Sequence, residues 1–349
     1  MHSVFGLEEF FTPHNNYYPV YSWMWNGILT KEEIKKQLDE MYERSIRGVY
    51  AIPLPKEFRP KTMVTDLQPS YLSDGYFEML SFAAEYAKAK GITFWLYDEG
   101  GWPSGNANGL VVKNNKALRL RYVEKGKIKT SSKADLTNPE ATEKFISLTH
   151  EKHKEKMGEG FKNLGPLVFT DEPNIGALPF TKSIRAEYKK RTGKRLTSRK
   201  LRKHNDPEFN IIYHNICADL FAENYFAPIK KWCNENGLLS AGHLDKDNES
   251  YGFRKSFHHP LRQLRLLDVP GVDVIWGQIM PGKENGFFPR LASSASEQSG
   301  SGLSLTESLS VYGTLTYEQM RYILGYQLVR GINILNFMLM MYDEKGYYA

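Results

Sequence analysis

The chain of 349 residues contains little cysteine and no long apolar run. Its two cysteines, Cys217 and Cys233, fall in one predicted helix, where 16 residues at about 1.5 Å each separate them by roughly 24 Å. A disulfide requires Cα atoms within about 7 Å. No stretch approaches the roughly 20 apolar residues of a membrane span, and residues 1–11 lack the basic start and apolar run of a signal peptide. We therefore expect no disulfide and no membrane partner, in a protein that is cytoplasmic, or secreted or periplasmic after removal of a signal.

Histidine is also scarce, with nine residues in the chain and no His-x-His pattern at the end of a predicted strand. Hydrolysis by a bound transition metal needs clustered histidine or carboxylate ligands. The sequence therefore disfavours a metal-dependent hydrolase of a non-sugar substrate, although it leaves any metal ligands unidentified.

The net charge of +6 comes from one segment. Between Lys182 and Lys203 there are 11 Lys/Arg and one acid, Glu187, whereas the rest of the chain has 35 basic and 39 acidic residues. Such a segment is more often a solvated surface than a nucleic-acid site. We expect no nucleic-acid partner.

Short β-rich runs alternate with amphipathic helical runs along a chain that is 41% hydrophobic and 25% charged. The predicted strands are 19–25, 48–54, 92–97, 167–170, 238–243, 272–276, 303–306 and 334–340. The predicted helices are 30–46, 76–90, 139–160, 207–236, 258–268, 288–299 and 316–330. Two insertions interrupt the rhythm, at about 116–140, where we expect a small hairpin, and at 178–206.

Eight strand–helix alternations predict an α/β fold, a single (β/α)8 TIM barrel over residues 1–349. The alternative, an open doubly wound sheet, needs a Gly-rich phosphate turn after its first strand, and the Trp-Asn-Gly-Ile-Leu-Thr that follows Met24 is no such turn. Only Tyr342–Ala349 follow the last strand, so the eighth helix is missing. The flank it would cover is expected to be apolar. We expect self-association there, or cover by the N-terminal 18 residues or by C-terminal domains that this chain lacks.

The catalytic groups of such barrels come from the C-terminal ends of the strands. In this chain those ends carry carboxylates, aromatic residues and amides, a mixture suited to a sugar. Glu172 and Glu307 follow strands four and seven, on opposite sides of the barrel mouth. The candidate substrate-binding residues are Trp25, Asn26, Asp98, Glu99, Trp102, Asp171, His243, Asp245, Gln278, Tyr312 and Asn336.

Glycoside cleavage needs one carboxylic acid to protonate the leaving oxygen and a second carboxylate as base or nucleophile. Glu172 and Glu307 are the predicted pair, with an oligosaccharide or glycoside as the substrate and no cofactor required. Asp98 and Glu99 could equally satisfy backbone N–H groups of the loop 100–109. Trp23 and Trp25 alternate on one strand, so both face either the barrel interior or the helices.

These motifs resemble the catalytic barrel of glycoside hydrolase family 106, the α-L-rhamnosidase family. The resemblance rests on Tyr-Ser-Trp-Met-Trp-Asn-Gly at 21–27, Tyr-Asp-Glu-Gly-Gly-Trp-Pro-Ser-Gly at 97–105, Thr-Asp-Glu-Pro at 170–173 and Thr-Glu-Ser at 306–308. The resemblance implies that Glu172 is the general acid, that Glu307 is the general base, that the anomeric carbon is inverted and that a Ca²⁺ ion lies near the sugar. Retaining barrel enzymes also carry acids on strands four and seven, but with Asn-Glu-Pro where this chain has Asp171-Glu172-Pro173, so retention stays open. The rival hypothesis is a non-catalytic carbohydrate-binding barrel.

Overall fold

Eight parallel strands close into a barrel in a computed structural model that describes residues 18–58, 64–202, 206–249, 252–283 and 285–344. The described residues contain these eight strands and two more. In chain order the strands are β1 (Val20–Trp25), β2 (Gly48–Pro53), β3 (Thr93–Tyr97), β4 (Arg119–Glu124), β5 (Lys127–Ala134), β6 (Leu167–Thr170), β7 (Leu239–Gly242), β8 (Val269–Val274), β9 (Leu305–Ser308) and β10 (Ile334–Met341). The two additional strands are β4 and β5, which pair only with each other. Around the barrel the order is β1, β2, β3, β6, β7, β8, β9 and β10, and β10 pairs with β1. The predicted TIM barrel is confirmed.

Helices surround the barrel. They are α1 (Lys31–Glu43), α2 (Asp74–Ala89), α3 (Leu110–Lys113), α4 (Pro139–Ile146), α5 (Lys152–Met157), α6 (Lys182–Thr192), α7 (Ser198–Arg202), α8 (Pro207–Phe221), α9 (Ala227–Glu235), α10 (Gly252–Lys255), α11 (Pro260–Leu264), α12 (Pro289–Ser299) and α13 (Tyr317–Leu328). Shorter 3₁₀ turns cover Lys116–Leu118 and Gly158–Asn163. In the described part of the chain no helix is both long and apolar enough to cross a membrane.

Local sequence accounts for the helix that follows β1. The Thr30 hydroxyl accepts a hydrogen bond from the backbone N–H of Glu33 at 3.2 Å, which satisfies a donor at the start of α1. Ile34, Leu38 and Met41 recur at helical spacing and are buried against the barrel. The predicted cap and core face of this helix are confirmed.

Two predicted long helices are interrupted. The predicted helix 139–160 is α4 and α5 joined by a π-helical turn over Ser147–Glu151, and the predicted helix 207–236 is α8 and α9 joined by a π-helical turn over Ala222–Phe226. Hydrophobic periodicity does not register such a turn, because one extra residue shifts the apolar face by only part of a turn.

Two apolar layers lie on the two faces of the strands. The inner layer fills the barrel with aromatic rings, and Tyr50 stacks against Trp95 and Tyr97 at centroid distances of 6.0 and 5.9 Å. The outer layer packs the opposite faces of the strands against the helices. The barrel is therefore a packed core, and its reactive groups must lie at its mouth.

The sixth and seventh predicted strands are displaced in the structure. β8 begins at Val269, three residues before its predicted start, and β9 covers 305–308 where 303–306 was predicted. Pro270 and Gly271 suggest a turn in the sequence, yet they lie in the strand. Gly271 is needed there, since a Cβ at this position would lie 2.8 Å from the carbonyl oxygen of Gly242 on β7.

The insertion at 116–140 contains the predicted hairpin, formed by the antiparallel strands β4 and β5. The insertion at 178–206 contributes α6 and α7.

No helix follows β10 as far as Glu344, the last described residue. On that flank α13 exposes several large apolar side chains, which are Tyr317, Met320, Tyr322, Leu328 and the adjacent Val329.

Candidate active site

Three side chains meet at the mouth of the barrel. His243, directly after β7, places Nε2 3.1 Å from Glu307 Oε2 and 3.2 Å from Asp171 Oδ1. All three residues are buried. His243 therefore joins the ends of β6, β7 and β9 through one imidazole nitrogen. Gly242 permits this approach, since a Cβ there would lie 2.0 Å from the carbonyl oxygen of Thr170.

The strand register explains how Glu307 reaches the interior. Glu307 is paired with Asp273 on β8 and with Asn336 on β10, so the three residues form one row across neighbouring strands. Leu305, two residues earlier on β9, belongs to the inner core. Because side chains alternate along a strand, Glu307 faces the same interior.

Burial and neighbouring charges shift the pKa values of His243 and Glu307, and for each residue some of these effects oppose one another. Burial lowers the pKa of His243, but hydrogen bonds to Asp171 and Glu307 outweigh it and hold the pKa well above its usual value. Burial and the nearby charge of Asp171 raise the pKa of Glu307, while His243 opposes that rise. The two acidic side chains therefore stabilise the charged imidazolium of His243 between them.

Glu172 differs from Glu307 in both backbone and protonation. Its φ is +37°, in a region that residues other than glycine rarely adopt. Burial, together with the charges of Asp171, Asp245 and Glu307, raises the pKa of Glu172 to about 8. A strained, half-buried carboxyl that holds its proton at neutral pH is a candidate proton donor.

Two side chains from β3 and its following loop fix Asp171. The hydroxyl of Tyr97 lies 2.7 Å from Asp171 Oδ2 and 2.9 Å from the carbonyl oxygen of Gly101. The backbone of Asp171 donates to Ser104 Oγ at 2.8 Å and accepts from Ser104 N at 2.8 Å. These bonds connect Asp171 and the adjacent Glu172 to the loop 100–109. The two segments are more than 60 residues apart in the sequence, so the sequence does not indicate this contact.

Sequence reasoning missed two acids of this site, Asp247 and Asp273. Oδ1 of Asp273 is buried without a hydrogen-bond partner among the described residues, and burial beside Glu307 raises the pKa of Asp273 well above its usual value. Asp247 accepts from the backbone N–H of Asp273 at 3.0 Å, and burial raises the pKa of Asp247 to about 7. The displaced prediction of β8 concealed Asp273, which the alternation of Val272, Asp273 and Val274 could have revealed.

Two predicted substrate-binding residues lie elsewhere. Trp25 is fully buried on the helix side of β1, where its ring contacts Tyr76 of α2 at a centroid distance of 6.1 Å. Asn26 is buried and exchanges two hydrogen bonds of 2.9 Å with the backbone of Asp343. Outward packing engages Trp25 and the backbone of Asp343 engages Asn26, so contact of these two residues with a substrate stays a prediction without support from their positions.

Asp98 and Glu99 support the loop after β3. The two oxygens of Glu99 accept from the backbone N–H groups of Gly100, Asn106, Ala107 and Asn108, at 2.5–2.9 Å. Asp98 accepts from Ser104 at 2.6 Å, and its other oxygen lies 4.0 Å from His150 outside the barrel. Of the two alternatives left by the sequence, scaffolding describes both residues.

The other predicted residues lie around the cluster at various depths. Asp245 is half-buried, accepts from Ser256 at 3.1 Å and raises the pKa of Glu172. Asn336 donates to the hydroxyl of Tyr50 at 2.9 Å beneath Glu307. Trp102 packs edge-on against Phe58 at a centroid distance of 4.6 Å, beside the inner core.

Gln278 and Tyr312 shape the loop after β8. The side-chain oxygen of Gln278 accepts from the backbone of Ile275 at 3.1 Å, and the hydroxyl of Tyr312 accepts from the backbone of Ile279 at 3.3 Å. Their polar atoms are engaged with this loop, so a direct contact with substrate stays a prediction for both.

A cavity of about 860 Å³ lies beside the mouth, between the loops that follow β2 and β3. Lys56, Asp66, Tyr71, Lys113 and Arg119 are among the residues that line it. The cavity does not include Glu172 or Glu307. Asn108 and Gly109, in the loop that Glu99 holds, also line it.

Asp171, His243 and Glu307 have the spacing of a metal-binding group, with candidate ligand atoms within 4.8 Å of one another. The Ca²⁺ ion implied by the resemblance prefers six to eight oxygen ligands. Here an imidazole nitrogen lies between the two carboxylates at hydrogen-bond distance from both. These three side chains do not fit calcium.

Comparison with known proteins supports the fold. No protein-family model matches the sequence, and no curated protein matches it either. The chain is similar to the structure of a rhamnosidase from Novosphingobium sp. PP1Y, with a TM-score of 0.69 and 11% identity over 96% of this chain and 56% of that chain. It is similar to the catalytic domain of a beta-amylase from Paenibacillus polymyxa, with a TM-score of 0.61 and 11% identity over 93% of this chain and 92% of that one.

A third similar structure is a beta-galactosidase from Halorubrum lacusprofundi, with a TM-score of 0.60 and 11% identity over 92% of this chain and 52% of that chain. The chain thus spans about half the length of this protein and of the rhamnosidase. At such identities the likeness establishes the barrel architecture, and function must be argued from the site.

Proposed function

We propose that this chain is a glycoside hydrolase in which Glu172 is the general acid and Glu307 is the base or nucleophile. The observation that carries the proposal is the contrast between the two carboxyls. Glu172 holds a proton at neutral pH, with a pKa raised to about 8, and Glu307 lies 3.1 Å from a protonated histidine. The proton on Glu172 supports an acid role, and the contact with His243, which opposes the rise in the pKa of Glu307, supports a base or nucleophile role for Glu307.

In the proposed reaction Glu172 gives its proton to the glycosidic oxygen as the bond from that oxygen to the anomeric carbon breaks. Glu307 either takes a proton from the attacking water or itself attacks the anomeric carbon. In the second case water later releases the sugar, and Glu172 accepts the proton from that water. His243 and Tyr97 hold Glu307 and Asp171 in place beside the reacting centre.

The sugar is proposed from weaker support. The motifs at 97–105 and 170–173 resemble the α-L-rhamnosidase family, and one of the similar structures is a rhamnosidase. An α-L-rhamnoside is therefore the first substrate to test, with inversion as the first outcome to examine.

Leaving-group dependence distinguishes the two roles. We expect Glu172→Gln to release dinitrophenol from 2,4-dinitrophenyl glycosides at the wild-type rate in the first turnover, because this leaving group needs no proton. The same variant should lose about 10²–10⁴-fold on alkyl or unsubstituted phenyl glycosides. Glu307→Gln should lose turnover of both classes. Glu159→Gln, at an exposed carboxyl, is the matched control and should match the wild type.

Unchanged turnover in both variants would refute the pair. Binding of oligosaccharide without any cleavage by the wild type would favour the rival hypothesis of a carbohydrate-binding barrel.

A further inference from the structure

The two insertions concentrate the positive charge of the molecule on one face. The hairpin 119–134 and the segment 182–202 together carry 16 Lys/Arg and two acids, whereas the remainder of the chain has 30 basic and 38 acidic residues. The sequence separates these segments by almost 50 residues, so the concentration becomes visible only in the structure. We refer to their combined surface as the cationic face.

Backbone hydrogen bonds join the two segments. Val123 of β4 donates to the carbonyl of Leu178 at 2.9 Å, and Phe180 donates to the carbonyl of Arg121 at 2.7 Å. Arg202 of α7 lies against the hairpin turn, where a Cβ at Gly126 would meet its Cδ at 2.8 Å. The hairpin and the helices α6 and α7 therefore form one continuous surface.

Few acids neutralise this surface. Glu124 pairs with Lys129, Glu187 pairs with Lys190 and Arg191, and Asp219 of α8 lies 2.7 Å from both Arg191 and Arg262. The exposed basic side chains beyond these pairs include Arg121, Lys125, Lys127, Lys182, Lys189, Lys194, Arg195 and Arg199. Such an excess of one sign raises the local concentration of an anionic partner.

The cationic face borders the candidate active site. Its segments follow β3 and β6, which are neighbours in the barrel, and both emerge at the end that carries Glu172. The hairpin is tied to the rim, because Asn106 accepts from the backbone of Ala134 at 2.9 Å and itself donates its backbone N–H to Glu99 at 2.8 Å. The cationic face is therefore connected to the rim of the mouth through the loop that Glu99 holds.

The chemistry of the face favours a polysaccharide over a nucleic acid. Single-stranded nucleic acid binds through exposed aromatic rings that stack on its bases. In the described residues of the two segments, Tyr188 is buried and Tyr122 is partly buried. The hairpin instead presents Thr130, Ser131 and Ser132, whose hydroxyls suit the hydroxyls of a sugar.

We propose that the cationic face binds an anionic, carboxylate-bearing polysaccharide and presents it to the mouth of the barrel. The identification of the polymer as a saccharide rests on the proposed glycosidase function. Binding itself requires no turnover. A chain without glycosidase activity that still binds through this face would therefore sink only the proposed function.

The test is affinity electrophoresis of the full chain in gels that contain polygalacturonate, with neutral dextran as the comparison polymer. K127Q/K189Q/K194Q removes three exposed charges from the face. K36Q/K154Q/K231Q removes three exposed charges from α1, α5 and α9, so it is a control of equal net charge. We expect binding to weaken about tenfold in the first variant and to change less than about twofold in the second.

The binding should also weaken as the salt concentration rises. Equal losses in both variants, or equal retardation by dextran, would overturn the proposal. Binding of duplex DNA as tight as that of polygalacturonate, and lost in the same variant, would also overturn it and indicate a nucleic-acid surface.

Discussion

Replacing Glu172 by Gln should change how the stability of the protein depends on pH. The pKa of Glu172 is raised from 4.5 to about 8 by burial and by the neighbouring acids. The folded state therefore binds one more proton than the unfolded state between those two values. The stability that this proton contributes is fully present below pH 4.5 and is lost as the pH rises through 8.

The shift of about 3.5 units corresponds to at most about 5 kcal/mol, at 1.36 kcal/mol per unit. Glutamine cannot ionise, so Glu172→Gln escapes this loss. We expect the free energy of unfolding of the variant to gain on that of the wild type by up to about 4–5 kcal/mol between pH 4.5 and pH 9.

Urea unfolding at intervals between pH 5 and pH 9 measures the difference. Glu124→Gln is the control, because Lys129 lowers the pKa of Glu124. The stability that Glu124 contributes is then present throughout this range, and the control should stay parallel to the wild type. If Glu172→Gln also stays parallel, the carboxyl does not hold a proton at neutral pH and cannot serve as the acid.

Three further changes test the surroundings of the site. His243→Gln removes the cation between Asp171 and Glu307. Because breaking a buried ion pair costs about 3–5 kcal/mol, the free energy of unfolding measured with urea at pH 7 should fall by that amount. A fall below about 1 kcal/mol would contradict the cluster. Tyr97→Phe should cost about 1.5–3 kcal/mol because its hydroxyl bonds to the side chain of Asp171, against about 0.5–1.5 kcal/mol for Tyr50→Phe, which loses the bond to Asn336. Equal losses would show that the bond to Asp171 contributes no more than the bond to Asn336. If the exposed apolar side chains of α13 and Val329 mediate self-association, Val329→Glu, at a side chain 74% exposed, should lower the sedimentation coefficient at high protein concentration. An unchanged coefficient would refute association through these side chains.

The sequence predicted the barrel well because strand–helix alternation is a local signal repeated eight times. β6 was predicted at its observed bounds, and β1, β2 and β3 to within one residue at each end. The prediction for β8 was displaced because Pro270 and Gly271 suggest a turn. The close approach of Leu305 and of the Gly242 carbonyl explains the glycine within that strand.

The site was less predictable than the fold. Alternation along a strand shows which side chains share a face, but it does not show whether that face points into the barrel or towards the helices. Trp23 and Trp25 were predicted to point the same way, and tertiary packing decided that this way is outward. The four backbone donors around Glu99 belong to a loop conformation that no spacing encodes. The contact of His243 with both Asp171 and Glu307 depends on the barrel register, which sets residues from three strands at one depth.

The pH dependence of kcat/KM on an aryl glycoside with a poor leaving group tests the central claim most directly. If Glu172 is the acid and Glu307 its partner, activity should fall above about pH 8, as the Glu172 carboxyl ionises. Glu172→Gln, assayed on an activated 2,4-dinitrophenyl glycoside, should lose that alkaline limb. The same alkaline limb in both proteins would contradict the assignment.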